Sequence, residues 1–355
     1  MKISDIDKNF KVESKISEPD VHWIDATSEC FSLFGVFAPD KDDEWYHRMP
    51  RDVAAKVNEG VAWGYRDTAG GRLRFRTDSR YVAIHTKQNF NLFAHMPLSG
   101  SSGFDLYASN DGGTERFVGT YFPPVEKCDG YEGIFFLPEG VNQVLIHFPL
   151  YCQVRELAIG LCENATVEPV PEYRTKLPVI TYGSSITQGG CASHAGNCYQ
   201  AILSRKLDCD HRNIGFSGSA HGEPIMAEYL AKQPMSAFVL DYDHNAYTAK
   251  FLRNTHKPFF DTVRSANPDL PIIILNKPMY LPNADDTERK KIIYDTYISA
   301  VNSGDKNVYF IDFNHIFDNN VEDGWAVDRC HPSDSGFYVM ASAIEPVLKK
   351  ILYGE

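Results

Sequence analysis

The 355-residue chain has no run of about 18 apolar residues, the length a helix needs to cross a bilayer, so its sequence offers no membrane-spanning segment. It also lacks a basic excess. Its 35 Lys and Arg stand against 47 Asp and Glu, a formal net charge of -12. Nucleic acid and anionic membrane surfaces are held by surplus Lys and Arg, so neither is an expected partner. Cysteine is sparse and scattered, at 30, 128, 152, 162, 191, 198, 209 and 330. A chain of this size needs no disulfide framework, and reduced, mostly buried thiols are expected. Met1 to Lys8 is polar, without the apolar core of a secretory leader. That reads as cytoplasmic, and a secreted chain trimmed of its leader would read the same. There is no internal repeat and no low-complexity tract.

What is present divides in two, with room for two domains by length. Residues 1–172 read as β-rich, with short strands at 72–77, 81–85, 103–107, 117–122, 133–137, 143–148 and 154–160. Asn110-Asp111-Gly112-Gly113 is a strong hairpin signal between two of them. Frequent turns and almost no helical period predict an antiparallel β-sandwich of jelly-roll type. The stretch Ala165 to Glu172, with Pro169 and Pro171, is expected to be a stiff connector.

From 173 to 355 the period changes. Apolar strands are expected at 178–182, about 212–216, 236–241, 271–275 and 307–312, with helices between them. Met340, Ile344, Val347, Leu348 and Ile351 form one apolar helix face, and Ile293, Tyr297, Ala300 and Val301 another. The expected fold is α/β, a five-stranded parallel sheet covered on both faces, which binds ligands beyond the carboxyl ends of its strands.

Four segments converge on that rim. Val179 to Gly183 runs into Ser184-Ser185; Gly215 to Ser219 follows strand two; Asp243-His244-Asn245 follows strand three; Asp328-Arg329-Cys330-His331 precedes the last helix. A serine needs a base and oxyanion donors to act as a nucleophile. Ser185 would attack, His331 would act as general base and then acid, and Asp328 would hold the imidazole's far nitrogen. The backbone N–H groups of Ser185 and Gly218 and the side-chain amide of Asn245 would receive the oxyanion, with Gly215 a rival to Gly218. His221 and His244 lie on the same rim loops, either as substrate contacts or as solvated loop residues. Cys191, His194 and Cys198, with Cys209 and His211, have part of a zinc spacing but no clear fourth ligand. Trp45, Tyr46 and His47 could line a sugar site, though packing explains them as well.

Gly183-Ser184-Ser185-Ile186-Thr187, Gly218, Asn245 and Asp328-x-x-His331-Pro332 resemble, in order and spacing, the four sequence blocks of the SGNH (GDSL-like) hydrolases. The resemblance covers residues 177 to 355. It implies a three-layer αβα, flavodoxin-like domain in which Ser185, Gly218, Asn245 and His331 match the namesake positions and Asp328 the triad acid. Register favours Ser185 over Ser184, because the family's serine is third in its block. Ser184 stands where that block usually has an acid, and Ala246 where the third block usually has one. Gly103-Phe104-Asp105-Leu106-Tyr107 is similar to the Gly-x-Asp-Leu-Tyr motif of the β-sandwich that precedes the hydrolase domain in one bacterial branch. The resemblance implies a serine esterase working through an acyl-enzyme, without cofactor or metal, on short acyl esters, acetyl above all, of a carbohydrate. A lipase, lysophospholipase or thioesterase of the same family is the alternative enzyme, and a non-hydrolytic carbohydrate-binding protein the alternative outside catalysis. The expected partner is a small-molecule or oligosaccharide ester; oligomeric state is not encoded legibly.

Overall fold

The computed structural model describes residues 16–110, 113, 115–126, 128–278, 283–314, 316–317 and 324–355. The chain forms two compact units. One comprises Met1–His47, Arg66–Pro171 and His194–Gly196; the other comprises Arg48–Tyr65, Glu172–Ser193 and Asn197–Glu355.

The first unit is an antiparallel sandwich. Its strands are β1 (Val21–Asp25), β2 (Ser32–Phe34), β3 (Arg72–Thr77), β4 (Tyr81–Gln88), β5 (Phe104–Asn110), β6 (Arg116–Tyr121), β7 (Gly130–Phe136), β8 (Asn142–His147), β9 (Val154–Cys162) and β10 (Val167–Glu168). One sheet has the order β1-β9-β4-β7; the other runs β10-β3-β8-β5-β6, with β2 beside β3. Every second residue points inward, as the strand period of two requires. Leu73 and Phe75, Val82 and Ile84, Phe104, Leu106 and Ala108, Val144 and Ile146, and Leu157, Ile159 and Leu161 form the core. Each strand expected from sequence in this half is present. β1 and β2 were not foreseen, and the connector is not free chain throughout, since Val167 and Glu168 pair with Thr77 and Arg76. β5 pairs with β6 as a hairpin requires, while the Asp111-Gly112 tip lies outside the described residues.

Asp105 explains part of the Gly-x-Asp-Leu-Tyr stretch. Its carboxylate is fully buried. It accepts from Thr120 Oγ1 at 2.7 Å, from the Gly196 N–H at 2.5 Å, and from His194 Nδ1. The His194 ring stacks on Phe117 with centroids 4.5 Å apart. His194 is thereby committed to a carboxylate. Tyr46 is core and meets Phe148, while His47 stacks on Phe37, so both serve packing.

The second unit is built on β11 (Val179–Gly183), β12 (His211–Gly215), β13 (Ala237–Asp241), β14 (Ile272–Leu275) and β15 (Val308–Ile311), all parallel in the order β12-β11-β13-β14-β15. That is the flavodoxin-like arrangement, with its switch point between β11 and β13. All residues of β11, β13 and β14 are buried, as expected for strands covered on both faces. Helices Pro224–Ala231, Ala249–Ala266 and Ala284–Asn302 pack in succession in one layer, and Tyr199–Leu207 packs with Asp334–Tyr353 in the other. The last helix begins at a Ser333 side-chain cap and buries Phe337, Met340, Ala341, Ile344 and Leu348. In helix Ala284–Asn302, Ile293 and Ala300 are buried as expected, but Val301 is exposed, since successive helical residues lie about 100° apart and Ala300 takes the inward position.

One part of the expected β-rich half is helical instead. Arg51–Val57 and Glu59–Gly64 are consecutive helices, and Met49, Ala54, Val61 and Tyr65 lie in the core of the second unit. Ile344→Ala in that core, or Phe75→Ala in the sandwich, is expected to lower stability by about 2–5 kcal/mol, measured by urea unfolding. A loss under about 1 kcal/mol would show that the position is not the closed core site described.

Candidate active site

Two strands end at the switch point, and the chain leaving each supplies polar groups. β11 stops at Gly183, where an added Cβ would lie 2.3 Å from the Asp241 carbonyl oxygen and 2.0 Å from Thr187 Oγ1. Only glycine lets the backbone pass there. Ser184 then caps the short helix Ser185–Gln188, its Oγ accepting from the Ile186 N–H at 3.2 Å. Ser185 is the first helical residue. The two serines therefore part company, one caught by the backbone and the other left to face a partner.

That partner is His331. Ser185 Oγ and His331 Nε2 are 2.8 Å apart. On the other side of the ring, His331 Nδ1–H donates to Asp328 Oδ2 at 2.7 Å. Asp328 Oδ1 also accepts from the backbone N–H groups of His331 (2.7 Å) and Cys330 (3.1 Å). Arg329 takes a left-handed φ of 67°, which folds the four residues tightly enough for the carboxylate to reach its own segment's imidazole. The turn is closed by the Ala326–Pro332 bridge and by the Val327 N–H donating to the His331 carbonyl at 2.9 Å. Burial pushes the Asp328 carboxyl up, but the hydrogen bonds from His331, its charge and the Cys330 N–H outweigh it and hold the group at about 2. It is thus ionised wherever the protein is used.

The loop after β12 brings Gly218 in a left-handed conformation, φ +66°. Among the described residues its N–H donates to no group, whereas the Gly215 N–H is taken by Asn213 Oδ1 at 2.9 Å. After β13 comes a single 3-10 turn, Asp243–Asn245. The Asn245 amide donates to the Phe216 carbonyl at 2.8 Å. A side-chain amide carries two hydrogens, so one is left over. The block lacks an acid at Ala246, and Arg289 of the helix Ala284–Asn302 supports the turn instead. Its guanidinium reaches the Asp243 carbonyl (3.1 Å), Asp243 Oδ1 (3.3 Å) and the Ala246 carbonyl (3.0 Å).

His221 Nε2–H donates to the Gly218 carbonyl at 2.9 Å, and its Nδ1 faces the Tyr247 hydroxyl at 3.3 Å. It is engaged by the loop rather than loose in solvent. His244 Nδ1 lies 3.7 Å from Cys330 Sγ, and its buried Nε2 has no partner among the described residues. Burial, then Lys277, His331 and Arg289, push its pKa down to about 3, so the ring is neutral. Cys330 has its thiol pushed up by burial and then by Asp328, which keeps it protonated and unreactive at neutral pH.

Several supporting residues escaped sequence reading. Asp241, the last residue of β13, is fully buried under the serine turn, and its Oδ2 accepts from Thr187 Oγ1 (2.9 Å) and the Tyr199 hydroxyl (3.0 Å). Burial raises its pKa to about 7 against those hydrogen bonds, and Asp243 adds to the rise. The Thr187 carbonyl accepts from Gln200 Nε2 and Asn213 Nδ2, both at 2.7 Å. Arg48 and Asn58 reach the Gly215–Ser219 loop from far away in sequence. Of these, only an acid at a strand end is a readable signal; the others look like ordinary surface or turn residues.

Residues 176–349 match the GDSL-like lipase/acylhydrolase family profile, and residues 21–167 match that of the N-terminus of SGNH-hydrolase-type esterases. A search of curated protein sequences returns no match. Among solved structures, a protein from Bacteroides ovatus described as a GDSL-like lipase superposes with a TM-score of 0.83 at 25% identity, over 94% of this chain and 98% of its own. A salicylyl-acyltransferase from a tetracycline biosynthetic pathway gives 0.75 at 19% identity over the same shares. A family two carbohydrate esterase from Cellvibrio japonicus gives 0.61 at 14% identity, again over 94% and 98%, a likeness of fold. With a serine, a histidine and an aspartate joined in one hydrogen-bonded chain at the switch point of such a sheet, residues 176–349 form a GDSL-like lipase/acylhydrolase domain behind the N-terminal domain of SGNH-hydrolase-type esterases, and the chain is a serine hydrolase of the SGNH type.

Proposed function

We propose that the protein hydrolyses short acyl esters of a carbohydrate, acetyl esters first, through an acyl-enzyme on Ser185. The observation that carries the proposal is the unbroken chain Ser185 Oγ–His331–Asp328, with 2.8 and 2.7 Å links. In the first half-reaction Ser185 Oγ attacks the ester carbonyl while His331 Nε2 takes its proton, and Asp328 steadies the imidazolium. The negative charge developing on the carbonyl oxygen is received by the N–H groups of Ser185 and Gly218 and the spare hydrogen of Asn245. His331 then returns the proton to the leaving sugar oxygen. In the second half-reaction the same base activates water, and the acid product leaves.

The carbohydrate assignment draws on fold likeness. The family two carbohydrate esterases share the architecture, and one from Clostridium thermocellum is described in complex with cellohexaose (TM-score 0.59, 16% identity, 79% of this chain and 92% of its own). A binding protein without catalysis is the weaker reading, because recognition alone requires no ionised aspartate behind a histidine.

Ser185→Ala is expected to lower kcat for p-nitrophenyl acetate by about 10⁴-fold or more. Ser184→Ala, which removes only a helix cap worth about 1 kcal/mol, should keep most of the turnover. The reverse pattern would move the nucleophile to Ser184. Asn245→Ala should cost about 10²–10³ in kcat with little change in KM. Hydrolysis of acetylated oligosaccharides, read as acetate, should be faster than hydrolysis of p-nitrophenyl esters of long acids, read as p-nitrophenolate; an acyl optimum beyond about eight carbons, with each buried methylene adding about 0.8 kcal/mol, would replace the substrate class with lipids.

Asp241 gives a pH prediction. Its folded-state pKa, about 7, lies above its ordinary value of 3.8. Between those values the folded chain keeps a proton that the unfolded chain has lost, so this group's stability contribution is full below about 3.8 and is lost as pH rises through about 7. Asp241→Asn should remove that decline. Urea midpoints at about pH 5 and about pH 8 should differ less in the variant than in the parent chain. An unchanged difference would mean that Asp241 is ionised in the fold.

A further inference from the structure

The loop Gly215–Ser219 carries the N–H that the proposed mechanism aims at the oxyanion, and it is short of internal structure. Ser219 N–H to the Phe216 carbonyl, at 3.0 Å, is its one internal backbone hydrogen bond among the described residues. At Gly218 an added Cβ would meet nothing within 4 Å, so that residue is demanded by its left-handed φ and not by crowding. A turn of this kind has little stiffness of its own. An oxyanion donor works only if it is held in place before the charge develops.

The stiffness comes from side chains that hold the loop's backbone polar groups one at a time. Asn245 takes Phe216 and His221 takes Gly218, as described above, and Gln188 Oε1 accepts the Ser217 N–H at 2.9 Å. The two ends are taken by residues about 160 positions earlier in the chain, within the same compact unit. Arg48, wholly buried, donates to the Gly215 carbonyl at 2.5 Å. It also donates to the Asn213 carbonyl at 3.2 Å and the Gly64 carbonyl at 2.7 Å, and its guanidinium lies 4.4 Å from the Phe216 ring centroid. At the far end, Asn58 Nδ2 donates to the Ser219 carbonyl at 2.9 Å and to Glu223 Oε1 at 2.5 Å. Asn58 Oδ1 meanwhile caps the helix Glu59–Gly64 by accepting from the Val61 N–H at 2.9 Å. The approach is close: a Cβ on Gly60 would lie 1.9 Å from Ser219 Oγ. A buried guanidinium shared among three carbonyls is a costly way merely to fill space, and it acts where the loop leaves β12.

We propose that Arg48 and Asn58 are positioning residues for the Gly218 N–H, clamping the two ends of the loop so that the donor is fixed before the substrate arrives. The proposal rests on the esterase reading of the site. Neither residue touches the reacting atoms; each acts through the backbone it holds.

The test turns on Asn58→Ser, which keeps a helix-capping oxygen and removes the amide donor, and on Arg48→Lys, which keeps the charge but not the fork. For both, kcat with p-nitrophenyl acetate should fall about tenfold to hundredfold with KM within about twofold. Affinity for a boronic acid that forms a tetrahedral adduct on Ser185 should fall by the same factor as kcat/KM. Asp52→Ala, at an exposed position on the neighbouring helix, should change none of these. A residue with only a structural role would lower the melting temperature and leave kcat and boronate affinity alone, and that outcome overturns the proposal. Hydrogen exchange of the 215–219 amides supplies a measure that needs no turnover. It should quicken in Asn58→Ser while the amides of β11 and β13 stay protected. If the unaltered chain hydrolyses no ester, the esterase reading fails, and exchange still decides whether Asn58 holds the loop; unchanged exchange there refutes it.

Discussion

The site depends on a space too small for a side chain. Beyond Gly183, strands β11 and β13 separate, and the serine turn must begin where the Asp241 backbone is already in contact. The switch point provides the opening, since the chains leaving the two strands cross to different neighbours there. Because the turn starts so abruptly, Ser184 can cap the helix while Ser185 is delivered to His331 at its first position. A bulkier residue at 183 would push the turn off Asp241, and the 2.8 Å link to His331 has little slack for such a shift.

Around that turn, polar support has been redistributed. The block's usual acid is absent at Ser184, and a buried carboxyl sits nearby on β13 instead. Asp241 accepts from Thr187 and Tyr199 and so ties the serine helix to the following one. Likewise the acid missing at Ala246 is answered by Arg289, 43 residues further on, which secures the Asn245 turn from the helix Ala284–Asn302. In both places the requirement is for a satisfied buried hydrogen bond, and several residues can meet it from different directions. Asp105 in the sandwich does the same for His194 and Gly196.

The strands were legible because their signals are local. Val82 and Ile84, or Leu73 and Phe75, alternate with the period of a pleated strand, and the last helix repeats its apolar residues on one face. The helices at 51–57 and 59–64 carry no comparable signal, because the surrounding chain reads as β and they are only seven and six residues long. Isolated helices that short are marginal, and these exist because Ala54 and Val61 are buried in the second unit's core. Val167 and Glu168 likewise became a strand by pairing with Arg76 and Thr77, a partner no local pattern announces.

The sequence by itself determined the types of chemical group and their order at the strand ends: the serine pair, the glycine turn, the asparagine, and the aspartate three residues before a histidine. Those choices are carried by short segments whose spacing allows only a few geometries. The tertiary structure decided which serine meets the histidine, which glycine N–H is without a partner among the described residues, and which distant side chains hold the loops. These are questions of which hydrogen-bonding groups are already spent. Gly215 is taken by Asn213, and Ser184 is taken by Ile186. Arg48 meets Gly215 across 167 residues of chain, a contact that exists only after the sheet and its helices have assembled.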